Sequence, residues 1–192
     1  MTPVDPQAID EVFQLLDRPV WIITAAAGPR RGGLVATWVS QASLDVGRSV
    51  LLAAIAPTHF TAELILESQA FAAHLLTREQ IEHAWRFGLG SGRQRDKLSG
   101  IEVTTAETGS PILPDVLAWL DCRVLKHYDA GDRLLFWADV LAGRRTDGQP
   151  PLREHELLGL ASPEQKRRLK DNLLSDIGLL RPLADAWRQR PG

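Results

Sequence analysis

The spacing of apolar positions changes period several times along the chain. Ile9, Val12, Phe13 and Leu16 fall three to four apart, so residues 10–16 read as a short helix that Pro19 stops. Residues 20–25 are β-branched and aromatic and predict a strand, with GPRRGG at 28–33 as the turn after it. Residues 34–39 and 50–56 predict two more strands, separated by SQASLDVGRS. Helical spacing returns over 58–68, where Phe60, Leu64 and Ile65 share a face and Thr58 stands where a cap belongs. A strand at 70–76 and a helix at 78–87 follow. The polar, glycine-bearing stretch 88–100 predicts a loop long enough for a binding role.

Two longer strands, 117–126 and 133–144, are joined by HYDAGD at 127–132, which predicts a hairpin. Consecutive long strands with no helix between them argue against a doubly wound α/β sheet. The pattern predicts a mainly β protein, a barrel or sandwich decorated with helices. After the break GQPPLREH, Ser162 as cap, Pro163 at the first helical position and Gln165 completing a capping box mark a helix start. Leu169, Leu173, Ile177 and Leu180 then form an apolar stripe.

Composition narrows the class. At 192 residues and 44% hydrophobic, the chain is long enough to bury about two-thirds of its unfolded surface. Lys+Arg 22 against Asp+Glu 24 gives a net charge of -2, without the basic footprint of a nucleic-acid binder. A single cysteine provides no disulfide and no zinc ribbon, and Cys122, between Leu120 and Val124, reads as core. His59, His74, His83, His127 and His155 show neither HxH nor HxxxH spacing, so no metal site is expected. No apolar run reaches the length of a membrane span and the acidic N-terminus is unlike a signal peptide, so a soluble, cytoplasmic protein without membrane contact is expected. There is no G-x-S-x-G elbow, Walker A or complete G-x-G-x-x-G motif. KRRLK at 166–170 is flanked by Glu164 and Asp171 and reads as a solvated helix face.

Three segments carry candidate chemistry, each with a plainer alternative. In GLVATWVSQAS the alternation fails at 37–43, where hydroxyls and an amide replace apolar residues. That suits the edge of a flat heterocycle, and equally a polar edge strand. In AIAPTHFT a strand ends at a helix start, where free N–H groups with the Thr58 and Thr61 hydroxyls make an anion site. Thr58 as a simple cap, and His59 as cation or surface imidazole, stand beside that reading. In RQRDKL, Lys97 and the arginines either face the same anion or form a solvated loop.

Taken in order, RPVWIITA, GLVATWVSQASLD, LLAAIAPTHFTAELILESQAFAAHLL, WRFG, DKLSGIEV, GSPILPDVLAWLDCRV and HYDAGDRLLFWADVLAG resemble the flavin reductase-like, FMN-binding split-barrel family over residues 18–143. The resemblance implies a split β-barrel over 18–145, preceded by a helical segment at 1–17 and followed by a linker and C-terminal helix at 146–192. It implies FMN as cofactor ahead of FAD, with Thr37, Trp38, Val39, Ser40 and Gln41 facing the ring and Ser43 nearby. Thr58, His59, Thr61 and Lys97 match the phosphate contacts.

By the same resemblance the chemistry resides on the flavin, with no catalytic side chain. NADH or NADPH would supply hydride, and electrons would pass to free flavin, oxygen or a partner. A homodimer is implied, and the C-terminal helix falls outside the family's common core. Three residues depart from the family pattern. Arg133 follows Gly131-Asp132 where a histidine is common, Pro57 replaces a polar residue, and Trp38 is bulkier than usual. Arg133 and Trp38 on the nicotinamide side favour, as an alternative, a flavin relay or carrier without NAD(P)H turnover. A structural protein that has lost its flavin is a third reading.

Overall fold

A computed structural model describes residues 5–146 and 148–190. Seven strands form one antiparallel sheet: β1 (Trp21–Ala27), β2 (Arg30–Ala36), β3 (Val39–Gln41), β4 (Val50–Ile55), β5 (Ala70–Leu75), β6 (Ala118–Asp129) and β7 (Leu134–Arg145). Their order is β2-β1-β5-β6-β7-β4-β3. Laid flat, six spacings of about 4.8 Å would hold the edge strands roughly 29 Å apart. The Thr37-Trp38 link between them spans at most about 11 Å. The sheet is therefore curled into a barrel. It is split between β2 and β3, which no ladder among the described residues joins. Register shifts in the β6–β7 ladder, at Asp121/Cys122 and Val124/Lys126, add the local bend that such curling needs.

Among the described residues five α-helices decorate the barrel: α1 (Pro6–Gln14), α2 (Phe60–Ser68), α3 (Ile81–Gly88), α4 (Glu154–Leu160) and α5 (Pro163–Arg188). β1 is buried on both faces. Ile23 and Ala25 join the barrel interior with Leu34, Ala53, Ile55, Phe71, Phe136 and, from α2, Leu64 and Ile65. Val20 and Ile22 join an outer core with Trp85 and Phe87 of α3, Leu98, Leu113 and Leu152. Cys122 lies fully inside the barrel, and burial pushes its thiol pKa up, as suits the core residue expected there.

Several boundaries differ from the sequence expectation. The first helix is α1, which starts four residues earlier than expected because Asp5 accepts a hydrogen bond from the Gln7 amide (3.0 Å) and Pro6 opens the helix. Its apolar face, Ile9, Val12 and Phe13, is exposed. The predicted turn 28–33 shrinks to Gly28-Pro29, since Ala27 already pairs with Arg30. Gly33 instead lies within β2, where a Cβ would stand 2.8 Å from the Phe87 ring. The strand expected at 34–39 breaks after Ala36, and the helix expected from 78 begins as a 3-10 turn, Arg78–Gln80. Thr58 does not cap α2; His59 occupies that position and makes no side-chain cap bond.

The stretch read as a break holds Leu152, fully buried. Its carbonyl accepts from Val20 (2.8 Å), its amide donates to Leu76 (2.7 Å), and α4 follows it. The start of α5 is as expected: the Gln165 amide donates to Ser162 Oγ (3.2 Å) and the Ser162 amide to Gln165 Oε1 (2.7 Å).

Candidate functional site

β4 runs out at Ile55, and Ala56-Pro57-Thr58-His59 turns the chain into α2, with the His59 amide donating to Ala56 O (3.1 Å). The first-turn amides of a helix have no intrahelical acceptor and point outward from its start. At this start Thr58 Oγ1 is buried and has no hydrogen-bond partner. A buried hydroxyl left unpaired costs on the order of 1–3 kcal/mol. Such a group marks where an acceptor belongs.

Thr58, His59 and Thr61 open onto a cavity of about 690 Å³. Its floor and near wall come from Gly33, Leu34 and Val35 of β2 and from Phe87 and Gly88 at the end of α3. Gly90, Ser91, Gly92 and Gln94 of the long loop line a second side. Lys97, 4% exposed, also faces the cavity, and its Nζ donates to Phe87 O (2.6 Å). Burial lowers the Lys97 pKa to about 8, and the nearby Arg95 adds to the effect. An ammonium has three protons, so one bond to Phe87 leaves two available. Burial also lowers the His59 pKa. Asp176 opposes that shift, while Arg133 and then Lys97 add to it.

The arginines of the loop are otherwise engaged. Arg93 donates to Glu63 (2.7 Å) and to Thr58 O (3.1 Å), and lies over the Phe60 ring at 5.6 Å. Arg95 holds the Arg86 and Leu89 carbonyls. Neither reaches across the cavity as the sequence suggested. Arg30 and Arg93 together neutralise Glu63, the one carboxylate in the first turn of α2.

Residues 37–43 lie apart from this cavity, at the β3 edge. There Ser40 Oγ donates to Gln41 O (3.1 Å), Gln41 Nε2 to Ser43 O (2.6 Å), and Ser43 Oγ accepts from the Val50 amide (2.9 Å). Thr37 and Val39 are half-buried beside them. Trp38, half-exposed, carries the Arg133 guanidinium 4.6 Å above its ring, and Arg133 Nη1 donates to Asp132 O (2.6 Å). Among the described residues no cluster of side chains suits a metal ion.

The far wall was not foreseen. It is α5, which contributes Leu169, Asn172, Leu173, Ser175, Asp176 and Leu179. The sequence carried a signal for it. Asn172 and Asp176, four apart, put two polar groups on the face that the Leu169–Leu173 stripe also occupies. Asp176 Oδ2 lies 3.8 Å from His59 Nε2.

The family model for the flavin reductase like domain matches residues 13–156. The high molecular weight rubredoxin of Moorella thermoacetica is 35% identical over 123 residues, 63% of this chain and 53% of that protein. Diflavin flavoprotein A 1 of Synechocystis sp. is 31% identical over 130 residues, 65% of this chain and 22% of that protein. The chain thus spans about half and about a quarter of these relatives' lengths. Among solved structures, the FMN-binding protein from Thermus thermophilus with bound p-hydroxybenzaldehyde superposes with a TM-score of 0.63 at 25% identity. That match covers 68% of this chain and 73% of the other. The family match ends before α5 begins at Pro163.

Proposed function

The chain belongs to the flavin reductase-like domain family, and on that premise we propose that its cavity holds FMN with the phosphate at the start of α2, making it a flavin-dependent oxidoreductase. The observation that carries the reading is the buried, unpaired Thr58 hydroxyl at a helix N-terminus that opens into the cavity. Thr58, the leading amides of α2, the His59 imidazole and the two remaining Lys97 protons are donors of the kind a phosphate requires. When bound, the flavin supplies the redox chemistry, and the protein supplies anchoring and orientation. Lys97, clamped to Phe87 O, keeps its charge fixed at the cavity wall. FMN is favoured over FAD, in keeping with the FMN-binding structural relative.

The test is a titration of flavin fluorescence with FMN and with riboflavin, which lacks the phosphate. Thr58→Val is expected to weaken FMN binding roughly 10- to 150-fold, the worth of a hydrogen bond to a charged group. Riboflavin binding should stay unchanged. An equal loss for both flavins would refute the phosphate assignment.

NADH or NADPH is the proposed hydride donor. A flavin relay without nicotinamide turnover is the second reading, and the Arg133–Trp38 stack favours it. In the family pattern this bulky pair stands on the nicotinamide side, and Arg133 is near enough to His59 to lower its pKa. Anaerobic mixing with each dinucleotide separates the two. Fast bleaching of the wild-type flavin supports the reductase. Slow bleaching that Arg133→His accelerates supports the relay.

A further inference from the structure

α5 lies outside the family match, yet it forms one wall of the cavity and brings a carboxylate to the donors assigned to the phosphate. His59 sits between the two. Its Nε2 is 3.8 Å from Asp176 Oδ2, within ion-pair reach but too long for a good hydrogen bond. Both side chains remain more than a third exposed, at 38% and 42%, so the contact is weak.

The middle of α5 is also lightly held. Leu173, Leu174, Ile177 and Leu179 are 41–58% exposed, and Leu180 alone among the described α5 residues is buried. The firm contacts lie at its C-terminal end, where Trp187 meets Tyr128 edge-on and Arg190, just beyond the helix, reaches Asp129 (3.5 Å).

We propose that Asp176 is a specificity-determining residue, an internal anion that occupies the His59 end of the cavity and competes there with the phosphate of the incoming flavin. This rests on the phosphate assignment made above and adds to it. Phosphorylated and unphosphorylated flavins meet different barriers at the same site. Riboflavin enters beside Asp176 without opposing its charge. FMN brings a dianion to within a few ångströms of a carboxylate and has to displace it from His59. The wall that closes the cavity therefore narrows the advantage the anchoring donors give to FMN.

The experiment is the same flavin titration on full-length protein carrying Asp176→Asn or Asp176→Lys. Asn keeps the shape and removes the charge. At this half-exposed position neither change empties a packed core. FMN affinity should rise about five- to tenfold for Asn, the size of one like-charge contact in a largely solvated setting, and further for Lys. Riboflavin affinity should hold constant through the series. The proposal is overturned if FMN affinity does not follow the order Asp, Asn, Lys, or if riboflavin tightens in parallel. Thr58→Val in the same assay keeps the two ideas separate. If it shifts FMN alone while the Asp176 series is flat, the phosphate assignment stands and the competition is wrong. If Thr58→Val leaves the ratio of the two affinities untouched, the phosphate assignment falls and takes the competition with it.

Discussion

His74 is fully buried in β5 and uses both ring nitrogens. Nδ1 donates to Ile22 O (3.0 Å) and Nε2 accepts from the Leu113 amide (3.2 Å). Only the neutral imidazole can do both. Burial lowers its pKa to about 4, partly offset by the Ile22 carbonyl, against an ordinary value near 6.5. Between those values the unfolded chain binds a proton that the folded chain does not. The stabilisation is therefore complete above pH 6.5, falls as pH drops through that range, and is gone by about pH 4. It amounts to about 3 kcal/mol. Urea midpoints at pH 7 and pH 5 should fall apart for the wild type and converge for His74→Gln, which is less stable at both. Parallel slopes would show that another group dominates. Nothing local in the sequence separates this histidine from a ligand or a surface imidazole, because Leu113 comes from a distant loop. Thr58, His59 and Thr61 were legible for the opposite reason: a strand-to-helix junction brings them together within four residues. Lys97 was half legible, since its place at the cavity depends on a carbonyl at Phe87 that no spacing announces.

At the scale of elements, Gly131 decides how α5 sits. Its φ is +86°, a conformation that side chains resist, and a Cβ there would stand 2.7 Å from Trp187 Cβ and 2.8 Å from Leu183 O. Gly100 has a similar φ, +73°, with nothing near its missing Cβ. Gly100→Ala should cost about 1 kcal/mol from the backbone alone. Gly131→Ala should cost a further 1–3 kcal/mol from overpacking against α5. Thermal unfolding of both variants measures the difference, and equal losses would mean that α5 does not rest on the hairpin. The start of α5 was readable because a capping box is local, whereas its docking was not, because the glycine that admits it belongs to the β6–β7 turn. α4 was hidden for a related reason: GQPPLREH has the composition of a loop, yet Leu152 within it is core. The break in alternation read at 37–43 falls at the β3 edge, where the Ser40 and Gln41 side chains donate to backbone carbonyls of the same segment.

For the molecule as a whole, the order of strands in the sequence was enough to reject a doubly wound sheet and to expect a barrel or sandwich, and the family resemblance narrowed that to a split barrel. Which strands neighbour one another was not legible beyond the β6–β7 hairpin, since β4 pairs with β7 and β1 with β5 across long stretches of chain. Large apolar side chains remain exposed on the outside: Leu125 and Tyr128 of β6, Trp137 and Leu141 of β7, and Leu44 and Val46 after β3. Exposed apolar side chains on neighbouring strands suit an association face, and we propose a homodimer built on the β6–β7 part of this surface. Light scattering should give twice 21.2 kDa at micromolar concentration, and Trp137→Glu should shift it toward the monomer. A monomeric wild type would refute this.

The Thr37-Trp38 link also bears on the order in which the barrel assembles. The β1–β2 and β6–β7 hairpins are local and lose little chain entropy when they form. That link holds β2 and β3 beside each other from the outset, so the pairings left to form are those of β1 with β5 and β4 with β7. These pairings join strands distant in sequence, which places the barrel among the slower-folding topologies despite its modest length.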